Sequence, residues 1–120
     1  MMPKFVILRH TLPADSPRAS HFDLMLEHDG KLLTWAIAEL PNATSQLAEA
    51  LPPHRSAYLT YEGPVSHNRG EVQRVVAGAF DWLLYAKDDI RVRLQSPNLA
   101  GELRLQRHED RWACQLISGQ

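Results

Sequence analysis

One cysteine among 120 residues excludes an internal disulfide framework, and with it the small secreted domains that depend on one. Cys114 sits in Trp112-Ala113-Cys114-Gln115-Leu116, a strand-like setting where it reads as a small buried hydrophobe rather than a nucleophile. No apolar run approaches the ~18 residues of a membrane span, and Phe5 to Leu8, closed by Arg9 and His10, is too short for a targeting core. A cytoplasmic protein without a membrane partner is therefore expected. Neither sign of charge is in excess: 13 basic and 14 acidic residues leave a net charge of −1. That balance argues against coating long nucleic acid through its phosphates, while leaving room for a local patch that grips one phosphate. Gly-x-Gly-x-x-Gly, the P-loop, Cys-x-x-Cys and Gly-x-Ser-x-Gly are all absent, so their chemistries have no support.

The composition that remains, 44% apolar and 22% charged, is that of an ordinary globular protein, and 1–120 reads as a single domain. The chain divides into short alternating segments. Lys4–His10 is a first strand, and a loop runs from Leu12 to Ser20. His21–His28 is a second strand, and His28-Asp29-Gly30-Lys31 a tight hairpin turn into a third strand, Lys31–Ala38. The spacing of Leu47, Ala50 and Leu51 behind a cap at Asn42 or Thr44, stopped by Pro52-Pro53, predicts one short helix. Further strands are expected at Arg55–Tyr61, Glu71–Ala77, Phe80–Ala86, Ile90–Leu94, Leu99–Gln106 and Trp112–Ile117. So many short strands imply a mostly β fold: a small, closed or nearly closed antiparallel β-barrel with one short helix.

Chemistry concentrates in His21-Phe22-Asp23-Leu24-Met25-Leu26-Glu27. Its period of two turns Phe22, Leu24 and Leu26 toward a core and leaves His21 and Asp23 side by side on the other face, roughly 6–7 Å apart at the backbone. If the first two strands are neighbours, His10 joins them. Two imidazoles and one carboxylate make a three-ligand site suited to manganese, iron or zinc, and the same set matches the facial triad of non-haem iron sites. A hydrogen-bonded His-Asp pair on a solvated face is the plainer alternative. His54 and Tyr58, four residues apart, are candidates to hold a phosphate oxygen or move a proton. Met25, two residues beyond Asp23, is expected on the same face. Glu62, before Gly63-Pro64, reads as a turn anchor, and His28 and His108 as exposed. His67, in the polar loop Ser66-His67-Asn68-Arg69-Gly70, is placed to overhang a site. Trp35, Trp82 and Trp112 read as core.

The order His10, then His21 to Gly30, then Leu33-Thr34-Trp35-Ala36-Ile37 and Pro41, then His54, Tyr58 and Tyr61-Glu62-Gly63 resembles the 3'-phosphoesterase domain of bacterial DNA ligase D. The likeness runs from Phe5 to about Val76 and continues more weakly to the C-terminus. It implies a manganese-binding β-barrel that removes a 3'-terminal ribonucleoside and then the remaining 3'-phosphate from DNA. It further implies His10, His21 and Asp23 as metal ligands, His54 as a phosphate contact and Tyr58 as a residue needed for activity. The implied partners are 3' ends of DNA or DNA–RNA primer-templates, with a DNA ligase or polymerase in trans. The family usually carries an arginine two residues after the aspartate and another upstream of the histidine matched by His54. Here Met25 holds the first position, and Ser45–Pro53 has no basic residue. Arg55, Arg69 or Arg18 would then supply the phosphate donors. The alternative is a non-catalytic metal-binding relative that recognises nucleic-acid ends or a repair partner.

Overall fold

Alternation of branched and aromatic residues with polar ones makes nearly every segment of this chain a strand. The computed structural model describes residues 2–118. In chain order these form β1 (Lys4–Thr11), β2 (His21–His28), β3 (Lys31–Ile37), β4 (Gln46–Arg55), a single 3-10 turn (Ser56–Leu59), β5 (Gly63–Pro64), β6 (Glu71–Tyr85), β7 (Asp89–Gln95), β8 (Gly101–His108) and β9 (Arg111–Ile117). The strands pair antiparallel in the order β1-β2-β3-β4-β9-β8-β7-β6, and β6 pairs back onto β1, which closes the barrel. β5 is a short addition to the start of β6. None of the helices among the described residues is long and apolar enough to cross a membrane.

The expected barrel is present, with its helix elsewhere. Gln46–Leu51 has a helical composition, yet it is strand, because the free edge of β3 pairs with it from Ala48 onward; tertiary pairing overrides local propensity. Pro52 and Pro53 do not stop a helix. They fall where the β3–β4 register slips, between Leu51 and His54, and where β4 has already left β9, whose pairing covers only Gln46–Ala48. Neither proline N–H is missed at such a place. The one helical turn lies at Ser56–Leu59, inside the segment expected to be a strand. The two strands expected on either side of Gly78 are one 15-residue strand. Its first part pairs with β1 and its last part with β7, and a Cβ at Gly78 would lie 2.4 Å from the Gln95 carbonyl oxygen. Glycine permits a close approach there rather than a break. Asp29 and Gly30, with φ of 51° and 77°, make the predicted hairpin.

Two apolar clusters hold the barrel. The larger fills its interior with Phe5, Ile7, Leu24, Leu26, Trp35, Phe80, Leu94, Leu103 and Leu105 among others. Trp82 and Trp112 are partly buried against it. The smaller lies outside the β1–β2 wall, where Val6, Leu8, Met25, Leu32 and Val72 are covered by Tyr58, Leu59 and Val65. Truncating one of these fully buried side chains costs about 2–5 kcal/mol. The middles of β1 and β2, Phe5–Leu8 and Asp23–Leu26, are thus dry on both faces.

Candidate metal centre

The β1–β2 register sets His10 opposite His21 and Leu8 opposite Asp23. Residues directly opposite share a face, so the two imidazoles and the carboxylate stand together on the outer face, at the rim of the smaller cluster. The imidazole rings are 5.0 Å apart. His10 Nδ1 lies 3.2 Å from Asp23 Oδ2, and His21 Nε2 lies 3.1 Å from Asp23 Oδ1. One ligand atom from each residue fits within 4.8 Å of the others. The plainer picture of a His-Asp pair in open solvent does not hold, because Asp23 is only 3% exposed.

The other ring nitrogens give the arrangement its direction. His10 Nε2 is 2.7 Å from the Arg69 carbonyl oxygen, and His21 Nδ1 is 2.9 Å from that of Ala19. A carbonyl only accepts, so each nitrogen facing one carries the hydrogen. In a neutral imidazole the second nitrogen is then bare, and both bare nitrogens are turned on one carboxylate. Asp23 Oδ1 is buried, and the 3.1 Å contact from His21 Nε2 falls short of a full hydrogen bond. Lone pairs facing lone pairs require a positive charge between them, a proton or a metal cation. Without metal, the Asp23 carboxylate beside it raises the pKa of His21 above 6.5 against the opposing effect of burial. Burial pushes the Asp23 carboxyl upward, but the His10 and His21 rings beside it outweigh that and hold the group at about 2. Two imidazoles oriented by backbone carbonyls, with an ionised and under-satisfied carboxylate, fit a divalent transition metal.

The remaining predicted residues form a second group on the same outer face. His54 pairs opposite Leu32 in β4, and its Nδ1 is 2.9 Å from the Pro52 carbonyl oxygen, leaving Nε2 free. The Tyr58 ring stands edge-on to His54 at 5.7 Å, and Tyr61 stands edge-on to Tyr58 at 5.8 Å. Arg55 lines a cleft of about 250 Å³ with Tyr58, Tyr61, Val65 and Ser66. The Arg69 guanidinium is folded back, with Nε 2.8 Å from the Ser66 carbonyl and Nη2 3.1 Å from its hydroxyl. Among the described residues, no hydrogen bond or ring contact joins His54 or Tyr58 to the triad. Met25 shares the predicted face, but it is 1% exposed inside the outer cluster and does not border a groove. Glu62 anchors its turn by accepting from the Arg74 N–H at 2.8 Å, and His67 and His108 are exposed. His28 is not free in solvent: it packs against Trp82 and Tyr85. Sequence reasoning missed the Ala19 and Arg69 carbonyls, since main-chain atoms leave no trace in residue type.

The family model for the DNA ligase D 3'-phosphoesterase domain matches residues 13–114. The chain belongs to that family. It is 30% identical over 127 residues to the multifunctional non-homologous end joining protein LigD of Mycobacterium bovis (strain ATCC BAA-935 / AF2122/97). It is equally similar to the multifunctional non-homologous end joining DNA repair proteins LigD of Mycobacterium tuberculosis strains CDC 1551 / Oshkosh and ATCC 25618 / H37Rv. Each alignment covers 97% of this chain and 16% of the relative, so the chain spans about a sixth of those proteins. His21, Asp23, His54 and Tyr58 fall inside the family match, and His10 lies just upstream of it.

Proposed function

We propose that the chain is a metal-dependent phosphoesterase that trims 3' ends of DNA, with manganese or another divalent transition metal held by His10, His21 and Asp23. The observation that carries this reading is the convergence of two imidazoles, each facing a backbone carbonyl through its other nitrogen, on one buried carboxylate. When bound, the metal supplies a Lewis acid for a phosphoryl oxygen. His54, oriented by the Pro52 carbonyl, presents Nε2 to hold a phosphoryl oxygen or, when protonated, to donate to the leaving group. Tyr58 packs edge-on against that ring and fixes its plane. Arg55 and Arg69 supply charge-assisted donors for the phosphate, Arg69 by exchanging Ser66 for it.

Family membership supports phosphoester chemistry, and the end-joining relatives support DNA 3' ends or DNA–RNA primer-templates as substrates. A DNA ligase or polymerase acting in trans would use the trimmed end. The test is incubation of the pure chain with Mn2+ and a primer-template ending in a ribonucleotide or a 3'-phosphate. The expected result is release of the terminal ribonucleoside or phosphate, lost on chelation and in His54→Ala. Binding of Mn2+ with no turnover on either end overturns the catalytic reading. It would select the alternative, a non-catalytic relative that recognises nucleic-acid ends or a repair partner. The burial of Met25, at the position where the family usually carries an arginine, favours that alternative.

A further inference from the structure

The segment Val65–Gly70 folds back on itself at the end of β1. The Val65 N–H donates to the Gly70 carbonyl at 2.8 Å, and His67, Asn68 and Gly70 take left-handed φ values of 63°, 55° and 79°. Gly70 lies so close to β1 that a Cβ there would fall 1.9 Å from the Thr11 carbonyl oxygen, 2.9 Å from the Thr11 carbonyl carbon and 3.0 Å from Leu12 Cα. All three are backbone atoms and cannot swing aside as a side chain would. This contact sits one residue from His10 in β1 and one residue from Arg69 in the loop before β6, and the Arg69 carbonyl oxygen is 2.7 Å from His10 Nε2.

We infer that Gly70 is a positioning residue for the triad: by letting the 65–70 segment press onto the end of β1, it brings the Arg69 carbonyl to His10 Nε2 and so fixes which His10 nitrogen is bare. The inference rests on the metal-binding reading proposed above. A neutral imidazole has one N–H and two competing places for it here. On Nε2 it bonds the Arg69 carbonyl and leaves Nδ1 open toward Asp23. On Nδ1 it would bond Asp23 Oδ2, 3.2 Å away, and close the metal position with a proton. With a cation in place of that proton, the carbonyl clamp holds the hydrogen on Nε2 and keeps Nδ1 as the ligand atom, as second-shell partners of metal-bound histidines generally do. A methyl group at position 70 must move the segment by more than an ångström to reach ordinary contact, and a 2.7 Å hydrogen bond does not survive that shift.

The test follows the His10 tautomer and Mn2+ affinity separately. In protein with 15N-labelled histidine, loaded with diamagnetic Zn2+ at about pH 8.5, long-range 1H–15N correlation should find His10 of the parent as the Nε2–H form. Gly70→Ala should show the Nδ1–H or a mixed form and bind Mn2+ about 10- to 100-fold more weakly. A Gly70→Ala variant with the parent's tautomer and affinity overturns the inference. So does a parent whose His10 is already Nδ1–H or mixed, and that measurement decides the matter even if the variant fails to fold. Mixed tautomers in a parent that binds Mn2+ remove the role of Gly70 alone. A parent that binds neither Zn2+ nor Mn2+ removes the metal reading instead.

Discussion

The strands that carry the triad and those across the barrel are buried by different rules. β1 and β2 each bury four consecutive residues, Phe5–Leu8 and Asp23–Leu26. β7 and β8 alternate instead: Ile90, Val92, Leu94, Leu103 and Leu105 face inward, while Asp89, Arg91, Arg93, Glu102 and Arg104 lie between them toward solvent. The cause is the cover. Tyr58, Leu59 and Val65 close the outside of β1–β2, whereas the outward side chains of β7–β8 pair with one another, as in Arg91–Asp89 at 3.0 Å and Arg104–Glu102 at 2.6 Å. An acid on the open half is a surface pair of little energetic weight. On the covered half an acid is expensive to bury unless partners satisfy it. Asp23 is therefore tied to two imidazoles, and what those leave unsatisfied is what a cation would meet.

The sharpest way to break the comparison is to remove the acid from the covered half. Asp23→Ala or His21→Ala should lower Mn2+ affinity by about two orders of magnitude or more with circular dichroism unchanged, as titration calorimetry would read. Parent-like affinity in either variant would reduce the triad to a surface pair. Next in size, Met25→Arg buries a cation in the outer cluster and should cost about 3–5 kcal/mol by urea unfolding. A stable Met25→Arg protein would show that the outer face opens easily. Within the inner core, burial pushes the Cys114 thiol up to about 12 from 9.0. The folded state keeps a proton that the unfolded chain releases first, so this contribution is whole below pH 9 and is lost as pH rises toward 12. Across that window the parent should lose stability faster than Cys114→Ala, by on the order of 1 kcal/mol per pH unit. The smallest effect belongs to the open half: Arg93→Ala should stay within about 0.5 kcal/mol of the parent.

Much of this was legible in residue order. The alternation through His21–Glu27, the Asp29-Gly30 turn and the basic alternation of Ile90–Leu94 each follow from a period of two, and together they call for a barrel. His10, His21 and Asp23 were readable as a group because antiparallel neighbours bring strand ends together. β4 was not, since Gln46-Leu47-Ala48-Glu49-Ala50-Leu51 has helical preferences and becomes a strand only through β3. The fate of Met25 was hidden for a similar reason: its cover comes from Tyr58, Leu59 and Val65, far along the chain. Hidden too were the Ala19 and Arg69 carbonyls, which choose the nitrogen that each imidazole turns on Asp23.

Titration of metal-free protein with Mn2+ near neutral pH, followed by the loss of the free-ion electron paramagnetic resonance signal, tests the central claim most directly. Two bare imidazole nitrogens and an under-satisfied carboxylate should take up one ion per chain, and Asp23→Ala should take up none. A parent that leaves the free-ion signal untouched, or an Asp23→Ala variant that depletes it equally, would contradict the account.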